Sequence, residues 1–71
     1  MSKKSIEEWM LELHKEKGKL RFRDIIDNYV SYAGEHPNGA KKTSLVIRYQ
    51  KLIRDKKLIF DSSDGKSYLP N

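Results

Sequence analysis

Cysteine is missing from all 71 residues of the chain. That excludes disulfides as a stabiliser and removes thiolate metal sites. The two histidines, His14 and His36, stand far apart, with no partner at metal-ligand spacing. No metal ligand and no cofactor site is therefore assigned. Long apolar runs are missing too: nothing approaches the ~18 consecutive apolar residues of a membrane-spanning helix. The start, Met1-Ser2-Lys3-Lys4, is basic, but it leads into an amphipathic, Glu-rich stretch unlike a secretory signal. An intracellular, cytoplasmic protein is expected, with no membrane partner. Proline occurs only twice and glycine four times, so the chain has few punctuation points, and no repeat or linker divides it. Residues 1–71 are read as one domain. A chain this short buries only about 60% of its unfolded surface, which leaves little room for a substrate cavity.

Acidic residues are scarce in one half only. Residues 1–36 carry seven Lys/Arg against seven Asp/Glu, whereas residues 37–71 carry eight against three. The whole net charge of +5 thus belongs to the second half. An asymmetry of this kind points to a polyanion partner, the plainer alternative being a solvated basic surface with no specific role.

The periodicity predicts three helices. Ser5-Ile6-Glu7-Glu8 reads as a capping box, in which Ser5 accepts from the Glu8 amide and Glu8 reaches back to the Ser5 amide. Ile6, Trp9, Met10 and Leu13 then form one helical stripe, and Gly18 follows as a stop, so the first helix spans 5–17. Leu11 falls off the stripe and is expected at the surface. His14 lies at the stripe's border and, like His36, shows no chemical partner. Leu20-Arg21-Phe22 alternates apolar and polar and reads as a short strand, 20–22. A second stripe of Phe22, Ile25, Ile26, Tyr29, Val30 and Ala33 gives helix two over 22–33, ended by Gly34. Trp9 and Tyr32 are read as core residues. Glu35-His36-Pro37-Asn38-Gly39 is the clearest loop.

Helix three is predicted over 40–57. Stepping 100° per residue places Leu45, Val46, Tyr49, Leu52 and Ile53 on one side, with Ala40, Thr43, Ser44, Ile47, Lys51 and Arg54 opposite, flanked by Arg48 and Gln50. Leu58-Ile59-Phe60 and Ser67-Tyr68-Leu69 flank Asp64-Gly65, a strong hairpin signal, so residues 58–69 read as a two-stranded hairpin. Ile59 and Tyr68 are its expected anchors and Lys66 its expected tip.

The order helix, strand, helix, helix, strand, strand resembles the winged helix-turn-helix family over roughly residues 5–70. The resemblance is carried by Thr43-Ser44-Leu45-Val46-Ile47-Arg48-Tyr49-Gln50-Lys51-Leu52-Ile53, then Lys57-Leu58-Ile59-Phe60, then Asp64-Gly65-Lys66-Ser67-Tyr68-Leu69. Two features depart from the family pattern. Lys57 stands where the family often has glycine, and the link from Gly34 to about Lys42 is longer than usual. The resemblance implies a small α+β fold, three helices with a β-hairpin wing, and a function in double-stranded DNA binding as a transcriptional regulator.

On that reading helix three enters the major groove, where side chains on its outward face read base edges. The base-edge candidates are Thr43, Ser44, Ile47, Gln50 and Lys51. Gln pairs with adenine, Lys donates to guanine and an aliphatic group meets the thymine methyl. Lys41, Lys42, Arg48, Arg54 and Lys66 are the phosphate candidates, which position without reading sequence. A DNA partner places the protein with the nucleoid if its source is prokaryotic or viral. The alternative reading is a protein-interaction module, an accessory subunit of a replication, transcription or membrane-remodelling complex, engaged through Leu11 or Ile47. Either reading allows a monomer or a homodimer.

Catalytic readings find no support in the motifs. Ser, His and Asp occur without any arrangement that joins them, and no catalytic residue is assigned. Gly65-Lys66-Ser67 carries the last letters of a P-loop. A P-loop also requires glycine at position 60, which is Phe60, and a helix after the motif, where Tyr68-Leu69-Pro70 reads as extended. The chain is not expected to be an enzyme.

Overall fold

A computed structural model describes residues 4–70. The ends of the expected 1–71 unit, residues 1–3 and 71, with most of the basic start, lie outside them. Three helices precede an antiparallel two-stranded hairpin: α1 (Ile6–Lys17), α2 (Phe22–Ala33), α3 (Gly39–Arg54), β1 (Ile59–Asp61) and β2 (Lys66–Tyr68). The fold is a small α+β arrangement, as the sequence order requires.

Local chemistry sets the helix ends. Ser5 Oγ accepts from the Glu8 amide at 3.2 Å, which satisfies one of the orphan N–H groups at the start of α1. Gly34 closes α2 in the left-handed conformation at φ 82°, its N–H bonded to Val30 O. Asn38 caps α3 by accepting from the Lys41 amide at 2.8 Å. That cap starts α3 at Gly39, one residue earlier than expected, and leaves residues 34–38 as the link from α2.

The core joins all three helices to the hairpin. Met10, Leu13, Leu20, Ile25, Tyr29, Leu45, Tyr49, Leu52 and Leu58 are buried together. Burial of a large aliphatic or aromatic side chain contributes roughly 1.5–3 kcal/mol, so this cluster is the main favourable term in a fold of this size. α1 packs against both α2 and α3, and β2 also leans on α1. Trp9 and Tyr32 are half-buried rather than enclosed. They meet at 4.9 Å between ring centroids, and Tyr29 meets Trp9 edge-on at 5.9 Å. The Tyr32 hydroxyl donates to Lys4 O.

Several expectations are corrected. The strand over 20–22 is reduced to a single bridge, Leu20 to Ser67, with Leu20 N–H donating to Ser67 O at 2.9 Å and Ser67 N–H to Leu20 O at 2.7 Å. It goes no further because Arg21 is already the N-cap of α2 and Phe22 its first residue, with Arg21 N–H bonded to Asp24 Oδ2 at 3.1 Å. Leu11 is half-buried against the core cluster, not at the surface. α3 stops at Arg54, not at 57, because Lys56 turns into the left-handed region at φ 62°. The amides of Lys57 and Leu58 then both fold back onto Leu52 O, which sends the chain into β1. The hairpin pairs Ile59–Asp61 with Lys66–Tyr68, shorter than 58–69. Its deepest anchors are Leu58 and Ser67, while Ile59 and Tyr68 are half-buried.

His14 is the largest correction. It is buried at 1% exposure and bridges α1 to the hairpin. Its Nδ1 lies 2.7 Å from Met10 O, an oxygen that only accepts, so Nδ1 carries the proton. In the neutral ring Nε2 must then accept, and Ser67 Oγ donates to it at 2.6 Å. Ser67 Oγ also lies 3.1 Å from Leu20 O. Its single proton serves the imidazole, since Nε2 of the neutral ring carries no proton and can only accept. Burial pushes the His14 pKa below its ordinary 6.5, opposed by the bond to Met10 O. Tyr49 is nearby: burial raises its pKa, and Ser67 holds the rise back. Even so, the Tyr49 hydroxyl makes no well-formed hydrogen bond among the described residues.

Candidate nucleic-acid interface

The outward side of α3 is built by its inward side. Leu45, Tyr49 and Leu52 bury one stripe. The 100° step then turns Lys42, Thr43, Ile47, Gln50, Lys51 and Arg54 to solvent, and all six are exposed. Ile47 stands bare at 61% exposure in the middle of this row. A helix of 16 residues is about 24 Å long, enough to run along a major groove.

Two overlapping shallow grooves gather most of the candidates. Ile47, Gln50, Lys51 and Arg54 line one shallow groove together. Ala40, Thr43, Ser44, Ile47, Arg48 and Lys51 line a second, which also touches Glu7 of α1. Ile47 and Lys51 belong to both, so they form the centre of the face. Ser44 is half-buried at its edge, and Thr43, exposed, donates its hydroxyl to Gly39 O at 3.1 Å.

Lys42, Lys51 and Arg54 have no acidic partner within 4 Å among the described residues, and Arg48 differs from them. Its Nη1 lies 3.4 Å from Glu7 Oε2, so its charge is shared with α1. Lys41 is half-buried in the first turn, where its backbone amide engages Asn38.

Lys66 does not join this face. It is the first residue of β2, half-buried, and opens onto Arg21, Arg23, Asp24 and Asp27 at the start of α2. The turn itself is residues 62–65, closed by Gly65 at φ 70° and by its N–H to Asp61 O at 2.9 Å. Asp61 Oδ1 accepts from the Ser63 hydroxyl at 2.6 Å and the Ser63 amide at 2.9 Å. The Ser63 hydroxyl and then its amide hold the Asp61 carboxyl below the usual carboxylate range. Asp64 Oδ1 accepts from the Lys66 amide at 3.0 Å. Two carboxylates therefore shape the tip, and Lys66 behind them is the hairpin's one cation.

Two features escaped the sequence reading. Glu7 borders the basic face because α1 packs across α3, a relation without local signal. Phe60 stands 46% exposed on β1, beside α3, because nothing in the hairpin covers that side. Among the described residues no helix is long and apolar enough to cross a membrane. Comparison of the chain with protein-family models, curated proteins and solved structures gives no match.

Proposed function

We propose that this chain is a small double-stranded DNA-binding protein of the winged-helix kind, a transcriptional regulator that lays α3 in the major groove. The observation that carries this reading is the outward face of α3. Three cations without an acidic partner among the described residues, Lys42, Lys51 and Arg54, flank Ile47 and Gln50 on one exposed side. Cations without acidic partners attract phosphate through counterion release, and the neutral pair between them offers an amide for adenine and an aliphatic contact for thymine. The Leu20–Ser67 bridge supports the same reading, since it stands where the family has its first strand.

The hairpin contributes less to this reading than the helix. Its tip is shaped by Asp61 and Asp64, so phosphate contact there rests on Lys66 with Arg21 and Arg23 beside it. DNA engagement by α3 alone predicts a modest affinity. Titration of duplex DNA at several salt concentrations is the test. Three neutralised phosphates give a slope of log K against log salt of about −2.7, from 0.9 per contact. Arg54→Gln reduces that slope by about one and weakens binding alike for all sequences. Binding that stays constant between low and physiological salt contradicts the reading.

The second reading, a protein-interaction module, rests on Ile47. An aliphatic side chain 61% exposed at the centre of a charged face suits a protein contact as well as a groove floor. Failure of random duplex to bind even at low salt favours it.

A further inference from the structure

A second surface lies on the flank of α3. Phe22 of α2, Val46, Tyr49, Gln50 and Ile53 of α3, and Phe60 of β1 enclose a groove of about 390 Å³. Five of these six residues are apolar or aromatic. Phe22 and Tyr49 meet at 5.2 Å between ring centroids, and Phe60 forms an open wall at 46% exposure. No charged residue lines it. At Gln50 it runs into the neighbouring groove of Ile47, Gln50, Lys51 and Arg54. The charges at that margin are therefore both basic, and no Asp or Glu lines either groove.

We propose that this groove docks an acidic amphipathic helix of a partner protein, its apolar face against Phe22, Val46, Ile53 and Phe60, its carboxylates against Lys51 and Arg54. Charge complementarity selects this occupant. DNA phosphate gains nothing from an apolar floor. A second copy in a symmetric pair brings the same two cations to the same margin, where like charges oppose one another. A segment with apolar anchors at i, i+3 or i+4 and acids alongside satisfies both surfaces at once. The proposal does not rest on DNA binding, because the apolar anchors Phe22, Val46, Ile53 and Phe60 lie outside the residues assigned to DNA.

The test uses three helical peptides of about 18 residues, long enough to hold a helix. They share one Leu/Phe face and carry Glu, Gln or Lys on the other. The full chain is titrated with each and followed by amide shifts. The Glu peptide is expected to shift Phe22, Val46, Ile53 and Phe60 and to bind at least about tenfold tighter than the Gln peptide, with the Lys peptide weakest. Phe60→Ser, at a half-exposed site, is expected to weaken the Glu peptide about tenfold or more, in the range of an interface anchor. Val46→Thr, which keeps the side-chain shape, gives the same direction if Phe60→Ser does not fold.

The proposal is overturned if no peptide gives a saturable shift, if the Gln peptide binds as well as the Glu peptide, or if the shifts fall on another face. It is overturned also if the chain dimerises in a concentration-dependent way that Phe60→Ser abolishes, for then the occupant is a second copy. Duplex titration of the same folded variants separates the two readings. Loss of duplex binding in Phe60→Ser assigns the groove to DNA and overturns the proposal, whereas retained duplex binding with lost peptide binding supports it. Failure of the unaltered chain to bind duplex at low salt contradicts the DNA reading alone.

Discussion

His14 shows how one buried side chain ties local sequence to distant structure. It follows Met10 by four residues, so helical geometry carries it onto the buried stripe. Its second bond reaches Ser67, 53 positions away in the chain. The first relation was open to sequence reasoning, since Met10 lies on the predicted stripe four residues before His14, yet His14 was placed only at the stripe's border and given no partner. The second was closed, because no local pattern announces which strand will cross a helix. The consequence is a pH dependence of stability. The folded pKa of His14 lies below the unfolded value of 6.5 because burial disfavours the charged ring. The unfolded chain therefore binds more protons as pH falls. Stability is complete above about pH 6.5 and declines below it until the folded pKa is passed, by at most about 1.4 kcal/mol per pH unit. Denaturant midpoints at pH 7.5 and 5.5 check this, with the lower midpoint expected at pH 5.5. Equal midpoints, or a higher one in acid, contradict it.

Among the elements, α3 was the most legible and its ends the least. Leu45, Tyr49 and Leu52 repeat with helical spacing, and the outward row of Ile47, Gln50, Lys51 and Arg54 follows from the same geometry. The C-terminal end was misjudged because Lys56 carries no stop signal. A lysine at φ 62° stands where glycine is far more comfortable. Lys56→Gly relieves that conformational cost, partly offset by the greater freedom of glycine in the unfolded chain. A net gain of roughly 0.5–1 kcal/mol is expected, read as a raised thermal midpoint. A lowered midpoint contradicts the assignment of strain to this residue. The strand at Leu20 illustrates the converse. Its alternation with Phe22 looked strand-like, but Asp24 bonds the Arg21 amide, and that short-range contact commits Phe22 to α2. The hairpin turn at Asp64-Gly65 was readable from two letters, whereas the exposure of Phe60 depends on what fails to cover it and so had no signature in the sequence.

For the whole molecule, charge is the organising quantity. The neutral first half supplies α1 and α2, which support α3, and the basic second half supplies the face that α3 presents. Among the described residues one ion pair blunts that face, that of Arg48 with Glu7. The same helix offers a cationic row to solvent and, along its flank, an apolar groove closed by Phe60. A polyanion and an acidic helix are the two partners such surfaces suit, and they draw on different residues except at Gln50, Lys51 and Arg54. Amide-shift mapping during titration with duplex DNA at low salt addresses the central claim most directly. Saturable shifts concentrated on the exposed residues between Lys42 and Arg54 are the expected result. No shift at low salt, or shifts confined to the opposite side around Trp9 and Tyr32, would contradict it.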